Sequence, residues 1–263
     1  MTIENLNKGK MTLKNAMIFA AGRGTRMREL TDDCPKPFLK INGVSIIERL
    51  ITRLVNHGIT NILVNIHYKA DIAQKALEEI QAKFGSQLNL TISKEDNLLE
   101  TGGGAKLALK NYPDFFKNGA FWAFNGDMLW HDDRGNDLLF EMMEAWDEDT
   151  MDLMLSLFPK EKVEGNGGRG DYHLLSNGQL KRTSDETAPY LFAGARICKT
   201  DLLPRIDENA FSFLKLFDLA QSEGKLFGHL QTGAWYHIGT PETLAHTDTL
   251  FKEIEVKKKA NFK

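Results

Sequence analysis

NAMIFAAGRGTRMRELTDDCPKP, residues 15–37, is the stretch on which the fold turns. NAMIFAA (15–21) is an apolar run of the length of one buried strand, and it stops at Gly22 and Gly24, where glycine permits a tight turn. Apolar runs and helix-period segments alternate after it. SIIERLITRLVNHG (45–58) has apolar residues at helical spacing and closes on Gly58. NILVNIH (61–67) reads as a strand, ADIAQKALEEIQAKFG (70–85) as a helix and LNLTISK (88–94) as a third strand. GGAKLALKNY (103–112) starts a short helix, and AFWAFN (120–125) is a fourth strand. This alternation predicts βαβ units on a parallel sheet, an α/β fold. Right-handed crossovers would bring the loops after the strands to one edge, where ligands bind.

The second half is less regular. DLLFEMMEAW (137–146) reads as a helix and MDLMLSLF (151–158) as a strand. GNGGRGD (165–171) is a long turn leading into a hairpin of YHLL and QLKR across Ser176, Asn177 and Gly178. YLFAGARI (190–197) is another strand, FSFLKLFDLAQSEG (211–224) a helix, and KLFGHLQ with AWYHIG a final strand pair. The closing helix starts at TPE, with Thr240 as cap and Pro241 at the first helical position. There is no internal repeat and no linker, which predicts one domain carrying an inserted antiparallel side sheet.

Composition excludes several classes. With 42% hydrophobic and 26% charged residues in 263, the chain can bury a sizeable core, and disorder, collagen and coiled coil are ruled out as the main architecture. Cys34 and Cys198 cannot build a disulfide framework, and no CxxC or HExxH occurs, so zinc chemistry is not indicated and a reducing cytoplasm is the expected compartment. The first thirteen residues lack a signal-peptide core, and no apolar run approaches the ~18 residues of a membrane span, so neither secretion nor membrane insertion is expected. Net charge is -3, but residues 1–40 hold eight bases and four acids, +4, leaving -7 for the remainder. The net charge argues against wholesale nucleic-acid binding, and a local basic patch on an acidic chain suggests a small anionic ligand.

Three motifs carry chemistry. In the first, Gly22 and Gly24 can turn N–H groups toward a phosphate while Arg23, Arg26 and Lys36 supply positive charge. Met27 replaces the third glycine of a dinucleotide fingerprint and no GK[ST] follows, so neither standard phosphate loop is present. An ordinary turn and a solvated Lys36 are the plain alternatives, but Pro35 and Pro37 fix the backbone on both sides of that lysine. In the second, LLETGGGAKLAL (98–109), three glycines before a helix imply unusual dihedrals or a ligand close to the backbone, or else a flexible helix start. In the third, FNGDMLW (124–130), Asp127 at the edge of a parallel sheet is suited to holding Mg²⁺ on substrate phosphates, or to capping a turn.

Taken in order, AAGRGTRM with PKP, ETGGG and NGD resemble the motifs of the sugar-nucleotide pyrophosphorylases, nucleotidyltransferases that join a sugar 1-phosphate to a nucleoside triphosphate. The likeness covers about residues 15–250. Within that family, ETGGG, GRGDY, LFAGARI and FSFLKLFDLA are similar to their counterparts in the short bacterial N-acetylmuramate 1-phosphate uridylyltransferases. The resemblance implies the nucleotide-diphospho-sugar transferase fold, a Rossmann-like, mainly parallel mixed sheet with helices on both faces and a small inserted antiparallel sheet. It implies a single domain over 1–263, with an extension at 1–13, a nucleotide-binding half at 14–130, a sugar-phosphate-binding half at 131–250 and a tail at 251–263. It implies Mg²⁺, with Mn²⁺ as an alternative, and small-molecule substrates with no nucleic acid or membrane partner; the oligomeric state is left open.

Carried over residue by residue, the resemblance gives Ala20, Ala21, Gly22 and Gly24 a place along the nucleotide, with Arg23, Thr25 and Arg26 around its phosphates. Lys36 would bridge phosphates in the transition state. Glu100, Thr101 and Gly103 would sit by the base, and Asn125 and Asp127 by ribose or metal, Asp127 being the direct ligand. Arg169, Asp171, Gly194 and Lys215 fall on the sugar-phosphate side. Relatives carry an Asp as second metal ligand where WYHIGT (235–240) has His237, which could ligate a softer ion such as Mn²⁺, touch phosphate, or be a structural histidine at a strand end. The expected reaction is UTP plus N-acetylmuramate 1-phosphate, in peptidoglycan recycling. Its rivals are the same chemistry on another pair, such as GTP with mannose or heptose 1-phosphate, and a catalytically silent nucleotide-sugar sensor.

Overall fold

The computed structural model describes residues 13–133, 135–163, 168–183 and 187–261. Strand β1 (Asn15–Phe19) is followed by a small hairpin, β2 (Lys40–Ile41) and β3 (Val44–Ser45), then α1 (Ile46–Asn56), β4 (Asn61–Ile66), α2 (Ala70–Phe84), β5 (Asn89–Lys94), α3 (Glu100–Asn111) and β6 (Ala120–Asn125). The second half runs through β7 (Trp130–His131), α4 (Leu138–Ala145), β8 (Leu153–Pro159), β9 (Tyr172–Leu174), β10 (Leu180–Arg182), β11 (Tyr190–Lys199), α5 (Leu214–Ser222), β12 (Leu226–Leu230), β13 (Ala234–Trp235) and α6 (Pro241–Asn261).

Across the main sheet the order is β5–β4–β1–β6–β11–β8–β12, and the β9–β10 hairpin joins it at Tyr190 of β11. Only β11 runs antiparallel to its two main neighbours in that row; the other pairings are parallel. A strand covered on both faces is apolar throughout, which is why NAMIF is buried at all five positions. Ile18, Val64, Trp122 and Phe124 face α1, α2 and α4, while Met17, Phe19, Leu63 and Ala123 face α3 and α5. In α1 the stripe Ile47, Leu50, Ile51 and Leu54 is buried, each side chain contributing roughly 1.5–3 kcal/mol. Ser45 starts that helix by accepting the Glu48 N–H at 3.3 Å.

The order places a switch point at β1, which has β4 on one side and β6 on the other. In register, Phe19 lies between Asn65 and Asn125, so three strand ends open on the same edge.

Two expectations are corrected. The three glycines do not precede a helix: α3 starts at Glu100 and contains them, and none has positive φ. Their close approach is to protein. Gly102 and Gly103 N–H both donate to the Phe211 carbonyl, at 2.9 and 3.0 Å, and a Cβ on Gly104 would stand 2.5 Å from Glu95 Oε1. Nor do KLFGHLQ and AWYHIG pair with each other. β12 adds in parallel to β8, Gln231 N–H donates to Leu157 O at 2.8 Å, and Gly233 at φ 81° then turns the chain so that β13 pairs with β7. Most of the 1–13 extension and residues 165–167 of the glycine-rich turn lie outside the described residues. Among the described residues no helix is long and apolar enough to cross a membrane.

Candidate active site

The turn after β1 is tied to the turn after β6 by a hydrogen bond from Gly126 N–H to Phe19 O at 2.9 Å. Gly24 adopts φ 62°, and a Cβ there would stand 2.9 Å from Lys36 Cβ, so glycine allows the lysine stem to lie against the loop. Pro35 is extended and Pro37 lies inside the short turn Lys36–Phe38, which fixes Lys36 in direction. Lys36 is 8% exposed, and its ammonium is 2.5 Å from Asp127 Oδ2. The solvated-lysine reading is thereby removed.

Two cavities, of 490 and 580 Å³, meet at Arg26, Asn125 and Asp127. Ala20, Ala21, Gly22, Gly24, Thr25, Lys36, Glu100 and Thr101 line the first, together with Asn65 and Ser212. Arg169, Asp171, Gly194 and His237 line the second, together with Phe192, Trp235 and Tyr236. The floor of the first is braced by a buried chain of polar groups. Asn65 accepts the Ala20 N–H at 3.0 Å and donates to Glu95 Oε1 at 2.6 Å, and Glu95 Oε2 accepts the Leu99 N–H at 3.2 Å. Burial raises the Glu95 pKa, and these two hydrogen bonds and His67 oppose the rise. His67 itself is bonded through Nδ1 to the Glu95 carbonyl at 2.9 Å. Thr101 Oγ1 accepts the Phe213 N–H at 2.9 Å, and Glu100 opens α3 at φ 60°.

The wall of the second cavity depends on an irregularity in β11. Phe192 pairs with Leu157 and Arg196 with Leu155, so Ala193, Gly194 and Ala195 together oppose Ser156. Ser156 Oγ accepts the Ala195 N–H at 3.0 Å, and Gly194 takes φ 102°. The bulge turns Ala193 and Gly194 toward the cavity. Asp171 Oδ2 accepts the Phe192 N–H at 3.0 Å and so holds the rim to the same strand.

His237 stacks at a tilt on Trp235, ring centroids 5.3 Å apart. Burial lowers its pKa most, Lys36 and Arg26 lower it further, and Asp127 opposes them, so the imidazole is neutral at neutral pH. Among the described residues no three His, Cys, Asp or Glu side chains gather as a metal cage. One hard carboxylate on a phosphate-sized cleft fits Mg²⁺ carried mainly by substrate oxygens and water.

Three expected residues are not in the cleft. Lys215 is half-exposed, paired with Glu208 at 2.6 Å, and lines neither cavity. Gly103 is turned to the 207–213 segment, its N–H engaged by Phe211 O. Arg23 lines neither cavity. Sequence reasoning missed Asn65, Glu95, Ser212, Trp235 and Tyr236. The available signal for Asn65 was a polar residue inside the apolar run NILVNI.

A family model described as nucleotidyl transferase matches residues 15–167, more than half of the chain. The chain is 34% identical over 231 residues to an N-acetylmuramate alpha-1-phosphate uridylyltransferase of Caulobacter vibrioides, covering 87% of this chain and 93% of that one. It is 27% identical over 239 residues to a mannose-1-phosphate guanylyltransferase of Mycobacterium tuberculosis, covering 87% of this chain but 62% of the relative. The crystal structure of HddC from Yersinia pseudotuberculosis complexed with GMP-PN superposes with a TM-score of 0.70 at 22% identity, covering 90% of this chain and 99% of that one, which shows a shared fold. The cleft at the β1–β6 switch point, the family match and near full-length similarity identify the chain as a member of the nucleotidyl transferase family, a sugar-1-phosphate nucleotidyltransferase.

Proposed function

We propose that the enzyme joins UTP to N-acetylmuramate 1-phosphate, giving UDP-N-acetylmuramate and pyrophosphate, as a cytoplasmic step of peptidoglycan recycling. The observation that carries this reading is the meeting of two cavities at Arg26, Asn125 and Asp127, beside the buried Lys36. Similarity to the Caulobacter uridylyltransferase supports the choice of substrates.

In this reading the triphosphate lies in the first cavity, along Ala20, Ala21, Gly22, Gly24 and Thr25, with the base toward Glu100 and Thr101. The sugar phosphate lies in the second, between Arg169, Asp171 and Gly194. A phosphate oxygen of the sugar 1-phosphate attacks the α-phosphorus, the bond to the bridging oxygen of the β-phosphate breaks, and pyrophosphate leaves. A phosphate monoester with a second pKa of about 6 is already largely ionised at neutral pH, so no side chain has to remove a proton. The remaining task is to position two polyanions in line and offset their repulsion. Arg26 touches both cavities and so serves both substrates. Lys36 exchanges Asp127 for phosphate oxygens and holds the charge that develops on them. Asp127 would hold Mg²⁺, which when bound supplies further neutralisation of phosphate charge. His237, whose pKa is lowered by burial and by Lys36 and Arg26, can contact phosphate or accept a softer ion such as Mn²⁺.

The test is pyrophosphate release by the purified protein with Mg²⁺ or Mn²⁺, across UTP, GTP, CTP, ATP and dTTP, each paired with N-acetylmuramate, N-acetylglucosamine, glucose, mannose and heptose 1-phosphates. Turnover confined to UTP and N-acetylmuramate 1-phosphate is expected. Preference for GTP with mannose 1-phosphate, the pair that the mycobacterial relative brings into consideration, would overturn the substrate assignment and leave the mechanism intact.

A further inference from the structure

Arg196 stands on β11 opposite Ala123 of β6 and Leu155 of β8, on the face that α3 and α5 cover, and is 1% exposed. Every neighbour expected there by register is apolar. Its guanidinium lies among four phenyl rings, with centroids at 4.4 Å (Phe213), 4.7 Å (Phe19), 5.3 Å (Phe192) and 5.8 Å (Phe217). Among the described residues no carboxylate forms an ion pair with it, and its Nε and Nη2 have no hydrogen-bond partner. Nη1 donates to Asn125 Oδ1 at 3.1 Å. The aromatic faces and one hydrogen bond offset part of the cost of burying this cation, but two of its nitrogens stay without a partner, so its presence calls for a reason beyond packing.

Asn125 supplies one. A guanidinium has donors and no acceptor, so the oxygen of the Asn125 amide must face Arg196 and its NH₂ must face the other way. Asn125 borders both cavities at their junction, in register with Phe19 and two residues before Asp127. A donor there complements phosphate oxygens, which a carbonyl would repel, and it can also reach a ribose hydroxyl.

We propose that Arg196 is a positioning residue for nucleotidyl transfer, fixing the Asn125 amide so that its NH₂ and not its oxygen meets the substrates where the two cavities join. Burial lowers the Arg196 pKa to about 9, still above neutral pH, so the guanidinium stays a full donor during turnover. The inference needs only the family reaction and does not depend on which base or sugar is used.

A double-mutant cycle tests it. Arg196→Met fills the aromatic box without a donor. It is compared with Asn125→Ala, the double variant and Asn125→Asp, on whichever substrate pair the unmodified enzyme turns over fastest, with triphosphate Kd by calorimetry and Tm measured in parallel. If no pair is turned over, which would defeat the proposed substrates, the cycle is read in UTP affinity alone. The expected result is that Arg196→Met and Asn125→Ala each lower kcat/KM, or UTP affinity, by about tenfold or more, and that the double variant is no worse than Asn125→Ala, since one residue acts through the other. Asn125→Asp should fall below Asn125→Ala, because a carboxylate held by Arg196 turns an acceptor toward a polyanion. Arg196→Lys should recover part of the loss, and with Asn125→Asp it keeps the test decisive if Arg196→Met does not fold. Additive losses, a lowered Tm with unchanged kinetics and binding, or Asn125→Asp equal to or better than Asn125→Ala would each overturn the proposal.

Discussion

Replacing Lys36 by Met removes the ammonium that stands 2.5 Å from Asp127 Oδ2 and keeps an apolar stem packed beside Gly24. Two magnitudes separate its catalytic from its structural role. A unit charge about 4 Å from a phosphate oxygen interacts by about 4 kcal/mol at an effective dielectric near 20. Loss of one preorganised donor at a transition state costs about 2.7–4 kcal/mol, or about 10²–10³ in kcat. The two figures agree, so kcat should fall by two to three orders of magnitude. Stability should change far less. The Asp127 side chain is 37% exposed and hydrates once its partner is gone, so the fold loses about 1 kcal/mol or less, a Tm shift of roughly 2–4 °C. Steady-state pyrophosphate release and a thermal melt on the same preparation give both numbers. A variant that keeps more than a tenth of kcat would refute the role assigned to Lys36, and a Tm lowered by tens of degrees would show that the lysine serves the fold instead.

Gly104→Ala sets a Cβ 2.5 Å from Glu95 Oε1 and 2.7 Å from Asn65 Nδ2; it should cost about 1–3 kcal/mol in a thermal or urea melt and raise KM for the nucleotide more than it lowers kcat. Glu95 has a folded-state pKa above its unfolded value, so its contribution is most favourable below the unfolded pKa and weakens as pH rises through the folded one. Glu95→Gln does not titrate, so its Tm deficit relative to the natural protein should narrow between acidic and neutral pH; a widening deficit would reverse the sign of this reasoning. Chelation by EDTA should abolish turnover without lowering the Tm of the nucleotide-free enzyme, because one carboxylate does not retain the ion without substrate oxygens. His237→Asp should reduce several-fold the Mg²⁺ needed for half-maximal rate, measured by titrating the metal at fixed nucleotide.

The first half of the fold could be read from the chain because each element is a local pattern. NAMIF, NILVNI and AFWAFN are apolar runs of strand length, and α1 and α2 carry 3.6-residue stripes between them. Lys36 and Asp127 stand out for the same reason, since flanking prolines and a strand end are visible locally, and the structure sets the two side chains 2.5 Å apart. What local reading misses is the partner across space. The GGG run reads as the approach to a helix, yet it lies inside α3, where Phe211, Asn209 and Glu95 stand within 3 Å of where the three Cβ atoms would be. AWYHIG has strand-like residues, but its mate is β7, about a hundred positions earlier. Nothing local in YLFAGARI distinguishes Arg196, and only register brings it to Asn125. Lys215 matched a motif position and turned out to be occupied by Glu208.

The two N–H groups of α3 that end on Phe211 O have a mechanical consequence. With Thr101 also receiving the Phe213 N–H, the start of α3 and the segment leading into α5 are riveted at three points. Across the cleft, the strand that leads to His237 is fastened by the two-rung ladder between β7 and β13, by Tyr236 N–H donating to Leu129 O at 2.9 Å and by the buried Ile238. The cleft is thus bounded on both sides by segments pinned to distant parts of the chain, so its width is set by tertiary contacts and not by either loop alone.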